Sequence, residues 1–149
     1  MEAKRLIAAA PAAISTSTLA RGPRVLVVDD ERPIRDVVAE ALAESGYEVE
    51  TAPNGAEALK RIARLRPDVV VVDLMMPVLD AAGFIHLLRL NPSSADLPVI
   101  ILTAAYEPYD EARRLGAAAC LSKPFKLEEL LAAVEHAAAS GVLPPVMLT

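Results

Sequence analysis

Three stretches of this chain are apolar almost without interruption: Arg24–Asp29 contains VLVV, Val69–Val72 is valine throughout, and Val99–Leu102 reads VIIL. A strand with one wet face alternates apolar and polar side chains, so an unbroken apolar run needs cover on both faces. Val69–Val72 is the most strongly β-prone segment, because every residue is β-branched. A shorter run, Ala119–Ser122, predicts a further strand. Each run ends in polar residues able to do chemistry: Asp29 and Asp30, Asp73, Thr103, and Lys123.

Helical periodicity fills the gaps between the runs. Pro33 suits a first helical turn, and Ile34, Val37, Val38, Ala41 and Leu42 form an inward stripe that Gly46 ends. Tyr47, Val49 and Thr51 alternate with Glu48 and Glu50, the pattern of a half-exposed edge strand. Asn54 followed by Glu57 opens a second helix, with Ala58, Leu59, Ile62 and Leu65 inward and Pro67 as its stop. A third helix is predicted over Ala82–Leu90. A fourth runs from about Tyr109 to Gly116, delayed by Pro108. A fifth spans Leu127–Ala139, with Leu127, Leu130, Leu131 and Val134 inward.

Five strand–helix pairs with right-handed crossovers make an α/β fold, a doubly wound five-stranded parallel sheet with five helices. The flavodoxin-like order 2-1-3-4-5 sets strands 1 and 3 side by side and brings the reactive ends to one sheet edge, where open α/β sheets place their sites. Hydrophobic residues make up 54% of the chain and aromatics only 3%, so Val, Ile, Leu and Ala must fill the core.

The expected organisation is a flexible leader over 1–22, one folded domain over 23–140, and a tail or linker start over 141–149. Lys4 and Arg5 before LIAAAPAAI have the outline of a signal peptide, but Glu2 and Pro11 argue against it; a docking helix is the other alternative. Net charge is −5, a poor match for nucleic acid or an anionic membrane. No apolar run is long enough to span a bilayer. One cysteine excludes an intrachain disulfide and fits a reducing, cytoplasmic setting.

The gathered edge would hold three carboxylates, a hydroxyl and an ammonium. Two carboxylates about 5 Å apart repel by about 3 kcal/mol at an effective dielectric of about 20. A hard cation such as Mg²⁺, with oxygen ligands and retained water, suits such a cluster. An aspartate can attack phosphorus and form an acyl phosphate, which makes Asp73 the candidate acceptor. Lys123 can pair with Asp73 at rest and with a phosphoryl oxygen afterwards, and Thr103 can donate one hydrogen bond. Glu31 extends the acidic run but also sits at a helix start, where negative charge is favourable. His86 and His136 have no partners at metal-ligand spacing, and Cys120 reads as a small core residue.

VLVVDDE, VVVVDLMMPVLD, VIILTA and GA…LSKPF, in that order, make residues 23–140 resemble the receiver domain of two-component response regulators. The resemblance implies that Asp29, Asp30, Asp73 and the main-chain oxygen of Met75 hold Mg²⁺. It implies that Asp73 takes its phosphoryl group from a histidine kinase or phosphotransfer protein, and that Thr103 and Lys123 read the phosphorylated state. The output would pass to a downstream protein through protein contacts, with a homodimer left open and no conventional enzymatic activity.

Three features depart from the family pattern. Ala81 follows Asp80 where glycine is usual. Cys120 occupies the switch-aromatic position, for which Tyr106 or Tyr109 are candidate substitutes. The stretch from Thr103 to Gly116 is short and contains Pro108, so a short or irregular fourth helix is expected. Neither Met75 nor Ala105 offers an acid or amide to orient attacking water, so self-dephosphorylation is expected to be slow. The alternative function is a phosphate-independent, receiver-like interaction module. A flavodoxin-like nucleotide or flavin binder fits poorly, because DDERP lacks the glycines that cradle phosphate at a helix start.

Overall fold

The computed structural model describes residues 22–104, 108–140 and 147–148. Most of the expected leader, Ala105, Tyr106 and most of the expected tail therefore lie outside the described residues, as does the side chain of Tyr109. The strands are β1 (Arg24–Val28), β2 (Glu48–Ala52), β3 (Val69–Asp73), β4 (Val99–Thr103), β5 (Ala119–Ser122) and β6 (Met147–Leu148). The helices are α1 (Arg32–Glu44), α2 (Gly55–Arg64), α3 (Ala81–Leu90), α4 (Pro108–Leu115) and α5 (Leu127–Ser140).

The sheet is parallel in the order β2-β1-β3-β4-β5-β6. The expected five-strand order is present, and one strand is added. Met147 and Leu148 pair with Ala119 and Cys120 along the outer edge of β5. Two residues carry no period, so only the unpaired edge of β5 could reveal this strand.

Alternation along the central strands divides the core. Leu26, Val28, Val70, Val72, Val99 and Ile101 pack with α2, α3 and α4 around buried Phe84. Val25, Val27, Val69, Val71, Ile100 and Leu102 face α1 and α5, against Val38, Leu42, Leu130 and Val134. Both faces are covered, which is what the unbroken apolar runs require. Truncating Phe84 to Ala in such packing costs about 3–5 kcal/mol.

The edge strand β2 differs from its sequence reading in detail. Its first four residues are all half-buried, because arginines cover the glutamates. Arg24 pairs with Glu48 at 2.6 Å, and Arg64 and Arg61 approach Glu50 at 3.0 and 3.6 Å.

The Asn54 side chain accepts the Glu57 N–H at 2.9 Å and caps α2, as the sequence predicts. Asp80 caps α3 in the same way, accepting from Gly83 N–H at 2.9 Å. Gly46 and Gly116 follow α1 and α4 at φ of +100° and +75°. The fourth helix is short, at 8 residues. Three residues assigned to inward stripes are exposed instead: Val37, Leu65 and Leu127. Leu65 is the residue on which α2 ends. Val37 and Leu127 sit at the border of their apolar arcs and line an open groove described below.

Candidate functional site

Asp73 is the last residue of β3, opposite Leu102 of β4, and is 6% exposed. Asp29 directly follows β1, and Thr103 closes β4; both are buried. Lys123 follows β5, and its main-chain N–H donates to the Thr103 carbonyl at 2.7 Å, carrying the β4–β5 ladder one step further. Parallel pairing in register thus delivers these residues to one edge. Carboxylate oxygens of Asp29, Asp30 and Asp73 all lie within 4.8 Å of one another.

The Lys123 ammonium sits among the acids. Its Nζ donates to Asp73 Oδ2 at 3.1 Å. It stands 3.5 Å from Asp29 Oδ2 and 3.8 Å from Glu31 Oε1, ion-pair distances without hydrogen bonds. Burial pulls its pKa down, but the hydrogen bond to Asp73 and the charges of Asp29, Asp73 and Glu31 outweigh this and hold it above its ordinary value. Glu31 is the N-cap of α1, yet its side chain caps nothing there. It leans toward Lys123 instead, so its acidity serves the pocket as well as the helix.

Asp29 is held from several sides. Its N–H donates to Ala52 O at 3.2 Å, and its Oδ1 accepts the Glu31 N–H at 2.9 Å. Its Oδ2 is buried without a hydrogen-bond partner. Burial pushes its carboxyl above the usual range, against the Glu31 N–H and Lys123, and the neighbouring charges of Asp73 and Glu31 add to the rise. A buried carboxylate oxygen with an unused lone pair, in a cluster of three acids, fits a hard divalent cation.

The loop after Asp73 has a tight geometry. Met75 N–H donates to Asp73 Oδ1 at 3.3 Å. Met75 is exposed while Met76 is buried, so only Met76 fills a core gap. Val78 has φ of +72°, a region that β-branched residues rarely enter. Ala81 is buried as the first residue of α3 and needs no glycine freedom. The close approach falls elsewhere: a Cβ on Gly55 would come within 2.9 Å of the Leu79 carbonyl oxygen.

Cys120 is fully buried in β5, and burial pushes its thiol up to about 11, which makes it a core residue rather than a reactive thiol. His86 and His136 are exposed and join no metal-ligating group among the described residues. Beside Lys123 lies an apolar groove of about 580 Å³, lined by Pro33, Ile34, Val37, Phe125 and Leu127. Sequence reading missed this groove, because it assigned Val37 and Leu127 to the core. It also missed Arg35, whose Nη1 donates to the Asp29 carbonyl at 2.8 Å. The available signal was a basic residue near the start of α1, where the helix dipole favours acids.

Residues 25–135 match the model of the response regulator receiver domain family. The chain is 47% identical over 111 residues to "Response regulator MprA" of Mycobacterium sp. (strain KMS), covering 73% of this chain and 47% of that protein. The same-named protein of Mycobacterium leprae (strain TN) is 44% identical over 113 residues, covering 74% and 49%. The chain thus spans about half the length of these relatives. Among solved structures, chemotaxis response regulator CheY4 of Vibrio cholerae superimposes with a TM-score of 0.72 at 37% identity, over 77% of this chain and 98% of that one. The receiver domain of Francisella response regulator 1452 gives 0.73 at 34% identity, over 79% and 98%.

Proposed function

Because this chain belongs to the response regulator receiver family, we propose that it is a phosphorylation-dependent signalling switch whose acceptor is Asp73. The observation that carries this reading is the buried Asp29 Oδ2, which has no hydrogen-bond partner, beside the Asp73–Lys123 pair. A pocket of that form suits a cation and an acceptor carboxylate better than it suits a packed core.

An Asp73 carboxylate oxygen attacks the phosphorus of a phosphohistidine on a histidine kinase or phosphotransfer protein. The P–O bond of an acyl phosphate forms, the P–N bond breaks, and the donor nitrogen keeps the electron pair and is protonated from solvent. Lys123 already touches Asp73 Oδ2 and moves with little rearrangement onto a phosphoryl oxygen. Thr103, at the end of the adjacent strand, donates its hydroxyl to the same group. Asp29, Asp30, Asp73 and the Met75 main-chain oxygen would hold Mg²⁺, which supplies positive charge to offset the phosphoryl oxygens. The groove between Pro33 and Leu127 opens beside Lys123 and offers the donor protein an apolar surface.

In this reading the signalling unit spans 23–140 and works in the cytoplasm through protein contacts, as a switch rather than a conventional enzyme. No described helix is long and apolar enough to cross a membrane. The buried thiol of Cys120 favours a second reading, a receiver-like module that binds partners without phosphate, since a thiol cannot swing as an aromatic ring does.

Acetyl phosphate with Mg²⁺, followed by intact-mass measurement, separates the two. The native protein should gain one phosphoryl group, and Asp73→Asn none. Absence of any gain on the native protein would leave the phosphate-independent reading.

A further inference from the structure

We propose that Arg35 is a positioning residue for the cation site: its guanidinium holds the main-chain carbonyl of Asp29 and thereby aims the Asp29 carboxylate into the pocket. The inference rests on the cation reading of Asp29, Asp30 and Asp73 given above.

Asp29 has four polar atoms, and three of them are pinned. The N–H is tied to Ala52 of β2, the carbonyl accepts from Arg35 Nη1 at 2.8 Å, and Oδ1 accepts the Glu31 N–H. The first two bonds fix the main chain from which the side chain projects, the third holds one carboxylate oxygen, and Oδ2 is the oxygen left toward Lys123, 3.5 Å from its Nζ. Among the described residues, Arg35 gives the side-chain hydrogen bond that reaches Asp29 from the body of α1. The hydrogen bond spans 6 positions and ties the helix to the turn carrying both Asp29 and Asp30.

The placement is costly unless it serves that contact. A cation near the start of α1 opposes the helix dipole. Among the described residues, no carboxylate lies within ion-pair distance of the Arg35 guanidinium, which is half-buried and donates from Nη1 to a neutral carbonyl. Arg32, by contrast, sits in the exposed first turn and pairs with Asp36 at 3.5 Å.

Positioning and simple charge make opposite demands. Removing a positive charge from beside three carboxylates strengthens cation binding. Removing a group that orients a ligand weakens it, typically by about 10–100-fold.

The test is calorimetric titration of Mg²⁺ into the full chain, with no phosphodonor present. Native protein, Arg35→Met, Arg35→Lys and Asp30→Asn are compared, and metal-free melting checks that each is folded. Arg35→Met is expected to bind Mg²⁺ about tenfold or more weakly. Arg35→Lys, which keeps a charged donor, should recover part of the loss. Binding by Arg35→Met within about twofold of native, or tighter than native, overturns the proposal, as does an Arg35→Lys no better than Arg35→Met. If Arg35→Met does not fold, Arg35→Gln carries the same comparison. Failure of the native protein itself to bind Mg²⁺ more tightly than Asp30→Asn would remove the cation reading, a result distinct from failure of Arg35 alone.

Discussion

Lys123 Nζ stands 3.1 Å from Asp73 Oδ2 although 50 positions separate the two residues. They meet because β3 and β5 flank β4 in the sheet and both strands run to the same edge. The pair is therefore a product of strand order, and its energetics report on the whole edge.

Replacing Lys123 by Met leaves a buried group of carboxylates without its ammonium. Metal-free stability in urea should fall by about 2 kcal/mol at pH 7. The sign follows from a lysine pKa held above the ordinary 10.5 in the folded state. The contribution is fully present below that value and is lost as pH rises through the folded pKa. A variant as stable as native protein at pH 7 would show that the pair contributes nothing.

Asp29 behaves in the opposite sense. Its folded pKa is raised above 3.8, so ionising it costs the metal-free fold stability, a cost that builds as pH rises above 3.8 and is complete once pH has passed the folded value. Asp29→Asn should therefore gain stability over native protein as pH increases above 3.8 in chelator-treated buffer. Mg²⁺ at ten times its dissociation constant should stabilise native protein by about 1.4 kcal/mol and the variant by less. Melting curves with and without Mg²⁺ measure both effects.

Val78 holds φ of +72° at an exposed site in the loop that follows Asp73. A left-handed conformation costs a β-branched residue about 1–3 kcal/mol, and glycine or asparagine much less. Val78→Gly or Val78→Asn should raise the unfolding midpoint in equilibrium denaturation, corresponding to about 1 kcal/mol of added unfolding free energy. A lowered midpoint for both would show that the loop does not hold this conformation in solution.

Met75 is exposed beside Asp73 and offers no group to orient water. Once phosphorylated, the protein should lose its phosphoryl group slowly, over times longer than seconds. Met75→Asn should shorten that lifetime by about tenfold or more, since a positioned polar group can assist water attack. Timed intact-mass sampling after removal of the phosphodonor measures the change.

Much of the fold was legible because its signals are local. Val69–Val72 is the most strongly β-prone segment, and Asn54 with Glu57 has the form of a helix start; a buried strand and a helix appear at those places. Asp29, Asp30, Asp73, Thr103 and Lys123 were readable because each closes or shortly follows a strand, and parallel strands share an edge. Val37 and Leu127 misled because helical spacing gives a residue's angle around its helix but not where the neighbouring element stops. Met147–Leu148 was invisible, because a two-residue strand exists only through the edge it joins. Arg35 was missed for a similar reason: its partner is a main-chain carbonyl, which carries no sequence identity.

The sequence by itself determined the five strand–helix pairs and the reactive residues at the ends of their strands, since periodicity, helix caps and unbroken apolar runs act within a few residues of one another. Tertiary structure alone decided which oxygen of Asp29 is left without a hydrogen bond, how Lys123 divides itself among three acids, and where strain and close approach settle at Val78 and Gly55. Those outcomes depend on burial and on distances of a few ångströms between remote segments, and such distances exist only after the strands have paired.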